Sequence, residues 1–144
     1  AQLAAHMDFE LHLASPDLED LASLEGLNPT THQPMTTPSA AIDLPIDAYA
    51  AVLLVFHDHE WEQEILMQAA RQHPFFIGAL GSRRTHAMRV ERLSHAGLSA
   101  AQSAQIHGPI GLVPSLRNAS LIAVSALAEI IAKLPPSQIR LSSS

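Results

Sequence analysis

The 144-residue sequence contains no cysteine, which excludes disulfides, zinc–thiolate sites, iron–sulfur clusters and thiol catalysis together. Charge is scarce too: Asp, Glu, Lys and Arg make up 15% of the chain, against roughly 25% in an average soluble protein. Eight basic residues against fourteen acidic ones leave a net charge of −6, so no overall positive field exists to hold a nucleic-acid backbone. Aromatic residues are only 4%. The longest apolar run, Ala48 to Phe56, falls far short of the roughly 18 residues of a membrane span. His6, Asp8 and Glu10 occupy the segment where a signal peptide needs an apolar core. What the chain does have is a hydrophobic content of 47%, ample for a core in a single domain and unlike a disordered tail. A soluble, cytoplasmic, single-domain protein with no nucleic-acid or membrane partner is expected.

The chain opens in Ala1 to Met7, which reads as the last turns of a helix. Phe9 to Leu13 alternates apolar and polar residues as a strand does, and Ser15-Pro16-Asp17 supplies a turn and a cap for a short helix, Leu18 to Leu24. From Gly26 to Pro45 the prolines imply irregular backbone, with Thr36-Thr37 as a short edge strand. Ala50 to Phe56 is an apolar, Val- and Leu-rich run, the pattern of a strand covered on both faces. A helix from Glu60 to Gln72 follows, with Trp61, Ile65, Leu66 and Ala69 at helical spacing. Phe75 to Ile77 is another buried strand, Gly78 to Gly81 a loop, and Ser82 the cap of a helix closed by Gly97. Ile106 to Gly111 reads as a last strand. Asn118 caps a final helix, Ala119 to Leu134, apolar almost all round and so expected to be buried. Strands alternating with helices in this way build βαβ units and a parallel sheet. Ligands of such folds bind beyond the carboxyl ends of the strands, which directs attention to the loops after Phe56 and Ile77.

In the second of these loops, Gly78-Ala79-Leu80-Gly81-Ser82 leads from strand to helix and aims free backbone N–H groups at a common point. Arg83 and Arg84 stand in the first helical turn, where the macrodipole disfavours cations by about 0.3–1 kcal/mol each. Two arginines there fit a phosphate or pyrophosphate; the plain alternative is a solvated pair, with glycines that serve only the turn. His57-Asp58-His59 follows the other strand, and His57 and Asp58 either line a ligand or brace the loop, unless Asp58 simply caps the next helix. Successive residues in extended chain point to opposite faces, so the side chains of His57-Asp58-His59 need not converge on one ion, and a metal site is not expected. Glu129, set among alanine, leucine and isoleucine, is either paired in the interior or reaches solvent along a stripe with Ser125 and Lys133. His107 carries no signal of its own.

Four segments in this order and spacing resemble a known family: Val52 to Asp58, Phe76 to Arg84, Gly108-Pro109-Ile110-Gly111-Leu112, and Ile122 to Ile130. They are similar to the C-terminal Rossmann-like domain of the XdhC/CoxI family, accessory factors of xanthine dehydrogenase and related molybdenum hydroxylases. The likeness is closest over 50–134, with 1–49 a looser part of the same domain and 135–144 a tail. It implies an α/β, Rossmann-like three-layer fold with a mostly parallel sheet, whose first strand and Gly-rich turn would precede Ala1. It implies a cofactor chaperone rather than an enzyme, with no catalytic residues. Such a factor binds the molybdenum cofactor, as molybdopterin or its dinucleotide form, and assists its sulfuration and insertion into a hydroxylase apoenzyme, with a cysteine desulfurase as a further partner. His57, Asp58 and Gly78 to Arg84 would hold the cofactor, with Gly108, Pro109, Gly111 and Glu129 as outer candidates. An NAD(P)-binding oxidoreductase domain, or an interaction module with a vestigial pocket, are the other readings. Ser15 ends the second strand of such a fold where ribose-binding folds carry an acid. So low a charge content also predicts a homodimer.

Overall fold

A computed structural model describes residues 1–7, 9–24, 26 and 31–138. Its helices are α1 (Gln2–His6), α2 (Leu18–Ser23), α3 (Glu62–Gln72), α4 (Arg83–His95), α5 (Ala100–Ser103) and α6 (Ala119–Ala132). Its strands are β1 (His12–Ser15), β2 (Thr31–Pro34), β3 (Ala51–Leu54), β4 (Phe76–Ala79) and β5 (Ile106–His107). Among the described residues all pairing is parallel, in two sheets ordered β1-β2 and β3-β4-β5.

Side-chain alternation along β4 produces the layering. Ile77 and Ala79 join Leu54, Leu66, Ala69, Leu93 and Ile106 in a core beneath α3 and α4. Phe76 turns to the opposite face and packs with Ile110, Ala126 and Ile130 beneath α6. The three-stranded sheet is therefore the middle of three layers, and β4 is buried on both sides, as its unbroken apolar run requires.

Several boundaries differ from the sequence pattern for identifiable reasons. The first strand is His12–Ser15 and not Phe9 to Leu13, because the ladder with Thr31–Pro34 sets its limits. The short strand expected at Thr36-Thr37 lies instead at Thr31–Pro34; Pro34 is tolerated as the last residue of a strand with one partner. The last strand stops at His107, since Pro109 has no N–H to give a ladder. β3 is covered on one face only: Val52 and Leu54 meet the core, whereas Leu53 and Val55 are exposed. Helix α6 is likewise half covered, with Ser125, Ala126, Glu129 and Ile130 buried and Leu121, Val124 and Ile131 exposed.

The caps follow the sequence. Asp17 accepts from the Glu19 amide at 2.8 Å, Ser82 from Thr85 at 3.1 Å, and Asn118 from Ser120 and Leu121. Each relieves donors that the first helical turn leaves unpaired.

Candidate functional site at the strand tips

The carboxyl ends of β3 and β4 lie side by side. Leu54 pairs with Ala79, and the Leu80 amide donates to the Leu54 carbonyl at 2.9 Å. The loops carrying His57 and Gly81 therefore leave the sheet from neighbouring strands at one end.

The loop after β4 is shorter than the sequence suggests. Gly78 and Ala79 complete the strand and are buried, so the outward-facing part begins at Leu80. Gly78 answers a packing demand: a Cβ there would lie 2.4 Å from Ile110 Cγ2 and 2.6 Å from the Phe76 ring. Gly81 answers a conformational one, at φ +140, with Thr85 Cγ2 only 3.0 Å from where its Cβ would be. Ser82 then caps α4, its hydroxyl also 2.9 Å from Thr85 Oγ1. Among the described residues, the N–H groups of Gly81, Ser82, Arg83 and Arg84 have no hydrogen-bond partner. Arg83 and Arg84 are exposed, and no carboxylate stands in the first turn of α4. Free amides, a positive dipole end and two guanidinium groups make a donor set for an anion.

The first loop contributes less. Asp58 Oδ1 accepts from the Glu60 amide at 3.1 Å, capping the 3₁₀ turn His59–Trp61 that leads into α3. His57 is exposed beside it. No group of three or more His, Asp or Glu side chains gathers for a metal ion among the described residues.

The loop after β5 hangs from α6. Glu129 Oε2 accepts from the Gly111 amide at 2.8 Å, and Ser125 Oγ accepts from Val113 at 2.9 Å. The solvent-facing stripe with Ser125 and Lys133 is thus corrected: residues 125 and 129, one turn apart, are buried and face the same loop. A carboxylate surrounded by hydrocarbon must find donors, and this one finds a backbone amide. His107 stacks on Phe76 with centroids 4.8 Å apart, its Nδ1 3.5 Å from Glu129 Oε1. Gly108 is half-buried and a Cβ there would collide with His86; Pro109 is exposed.

Sequence reasoning missed the most buried polar group of this region. Arg89 is 1% exposed and forms a two-pronged pair with Glu62, also 1% exposed, at 2.9 and 3.1 Å. Its Nη2 donates to the Leu80 carbonyl at 2.8 Å, and its Nη1 lies 3.3 Å from His86 Nδ1. His59 Nδ1 is 3.3 Å from Glu62 Oε1, off the direction of a hydrogen bond. Beside the pair is a space of about 10 Å³, room for about one water. That space is lined by residues of α3 and α4 together with His59, and is far too small for a cofactor. The helical pattern held a clue, since Arg89 stands four residues before the buried Leu93.

The Escherichia coli (strain K12) molybdenum cofactor insertion chaperone PaoD is 41% identical over 91 residues, which is 63% of this chain and 29% of that protein. A solved structure titled xanthine dehydrogenase, from Bacillus halodurans, superposes with a TM-score of 0.71 at 20% identity, over 99% of this chain and 40% of its own; it attests the fold. The chain thus spans well under half the length of either. No helix among the described residues is long and apolar enough to cross a membrane. The family model of the XdhC Rossmann domain matches residues 1–130, and the chain belongs to that family.

Proposed function

We propose that this chain is the cofactor-holding part of an accessory factor for molybdenum enzymes, and that it grips molybdopterin, or its dinucleotide form, by the phosphate. The observation that carries this reading is the tip of α4, where four uncommitted amides and two arginines face outward with no acid among them. The name of the Escherichia coli relative, a cofactor insertion chaperone, supports the same reading. In it, Leu80 to Arg84 hold the phosphate. His57 and Asp58 flank it from the next strand, while Gly111 and Glu129 shape the adjoining loop. Gly78 and Ala79 serve from within the strand by letting β4 pack closely. The redox chemistry belongs to the cofactor once inside its hydroxylase, for which a xanthine dehydrogenase is the proposed partner and a cysteine desulfurase the proposed sulfur source. The reading also pairs the chain with a second copy.

An acid at the tip of β1 would have favoured a nicotinamide dinucleotide. Ser15 stands there, its hydroxyl accepting from the Asp17 amide, and Asp17 is spent on capping α2. The decisive experiment compares cofactor content, by mass spectrometry, in the purified chain and in Arg83→Ala and Arg84→Ala. Each variant is expected to lose most of the cofactor while melting within about 2 °C of the parent, because exposed side chains contribute little to stability. Equal cofactor content in all three would end the proposal. Added molybdopterin at about one hundred times its dissociation constant should stabilise the parent by about 2.7 kcal/mol, and NADPH should not.

A further inference from the structure

Arg89 belongs to no assigned site, is almost wholly buried, and yet spends a donor on the loop at the strand tip. A buried ion pair is weak support for a fold, because desolvation cancels much of its attraction and apolar residues of similar volume often do as well. The pair with Glu62 therefore explains how the guanidinium is tolerated, and leaves open what it is for. The Leu80 carbonyl answers that. The peptide unit joining Leu80 to Gly81 is planar and trans, so its C=O and its N–H point in opposite directions. Arg89 draws the carbonyl inward at 2.8 Å, and the Gly81 N–H must then point outward, toward the ends of the strands. That N–H is one of the four uncommitted amides. A glycine at φ +140 has low barriers to rotation of the peptide before it, so without a partner for the carbonyl this unit would be free to turn over.

We propose that Arg89, clamped by Glu62, is a positioning residue: it fixes the Leu80–Gly81 peptide so that the Gly81 amide is presented to the bound anion. Glu62 contributes by geometry and charge. Its two oxygens take Nε and one Nη2 proton in a fork, which leaves the second Nη2 proton aimed at Leu80. It also neutralises the guanidinium, so that Arg89 shapes the site without being one of its cations. The plane of an arginine is required here; a lysine has the charge and lacks the fork. The inference rests on the anion reading for what the amide meets, and stands apart from it for which way the amide points.

The test uses the whole chain, with inorganic pyrophosphate as the probe, in four forms: wild type, Arg89→Lys, Arg89→Met, and the double variant Glu62→Met with Arg89→Met. Arg89→Met alone strands a buried carboxylate and is expected to unfold readily; the double variant removes both charges and is expected to regain the lost thermal stability. Amide resonances of Gly81 report the result. In wild type, Gly81, Arg83 and Arg84 should shift together on titration. In the double variant, Arg83 and Arg84 should still respond, the Gly81 response should vanish, and the dissociation constant should rise about tenfold, the value of one lost charge-assisted hydrogen bond. Arg89→Lys should be folded and similarly weakened, and it decides the question alone should the double variant not fold. An unchanged Gly81 response with affinity within about twofold of wild type would overturn the proposal. If wild type itself ignores pyrophosphate, the anion reading fails on its own. The positioning claim is then decided in ligand-free protein by residual dipolar couplings of the Gly81 N–H. The same orientation in wild type and variant refutes it, and a changed one upholds it.

Discussion

His86 sits where α4 faces the loop after β5, between the Arg89 guanidinium and the Gly108 backbone. An arginine can only donate, so His86 Nδ1 must accept, and the ring is held in its neutral form. Burial pushes its pKa below the ordinary histidine value, the positive charge of Arg89 and the neighbouring His107 push it further, and Glu62 opposes them. An unfolded chain takes up this proton near pH 6.5, whereas the native state takes it up only at lower pH. The native contribution is therefore complete above about pH 6.5 and is lost as pH falls through the lowered native value. Between about pH 7.5 and about pH 5, the melting temperature of wild type should fall more steeply than that of His86→Gln, which keeps an acceptor and cannot protonate. Parallel curves in scanning calorimetry would show that His86 does not set the acid limit.

Two helices each send one buried charged side chain to the loop at the end of a neighbouring strand: Arg89 of α4 to the Leu80 carbonyl, Glu129 of α6 to the Gly111 amide. Replacing Glu129 by leucine leaves that amide without its acceptor and should cost about 1–3 kcal/mol in urea unfolding, while Glu129→Gln, which keeps an oxygen in place, should cost less than half as much. Equal losses would mean that shape, and not the acceptor, holds the loop. These links were the least legible part of the sequence. Element identity could be read wherever a period ran long enough, as in α3, α4, α6 and β4, and the caps at Asp17, Ser82 and Asn118 were visible as single letters followed by helical runs. Thr31–Pro34 gave no strand signal because its pairing with β1, nineteen residues earlier, and not its own residue pattern makes it one. Gly78 and Gly81 look alike in a string, yet one is forced by Phe76 and Ile110 packing over the strand and the other by φ. Only coordinates separate those causes. Arg89 and Glu62 are 27 positions apart, and each looks like a solvated helix residue until both are found facing inward.

At the scale of the whole molecule, a low charge content leaves apolar surface uncovered, and its position can now be named. Hydrogen bonds from the Leu112 and Val113 amides to Ser125 tie this segment to α6, the helix that also carries Leu121 and Val124. All four are more than half exposed. No charged side chain of α6 interrupts this face, because its one acid, Glu129, is turned inward. Monomeric proteins seldom leave a contiguous apolar patch of more than a few hundred Å² open to water. A single uncharged helix face is also complementary to itself under a two-fold axis, since neither copy brings a charge that the other would have to desolvate. With a second copy as the proposed cover, the chain should sediment as a dimer, and Leu121→Ser combined with Val124→Asp should sediment as a monomer. Both changed residues are exposed, so the fold should be little affected and the melting temperature, corrected for concentration, should stay close to that of the parent. A parent chain that sediments as a monomer at every concentration would leave this face to a different partner, and would leave the proposal for the tip of α4 standing, since Arg83 and Arg84 lie on a different helix.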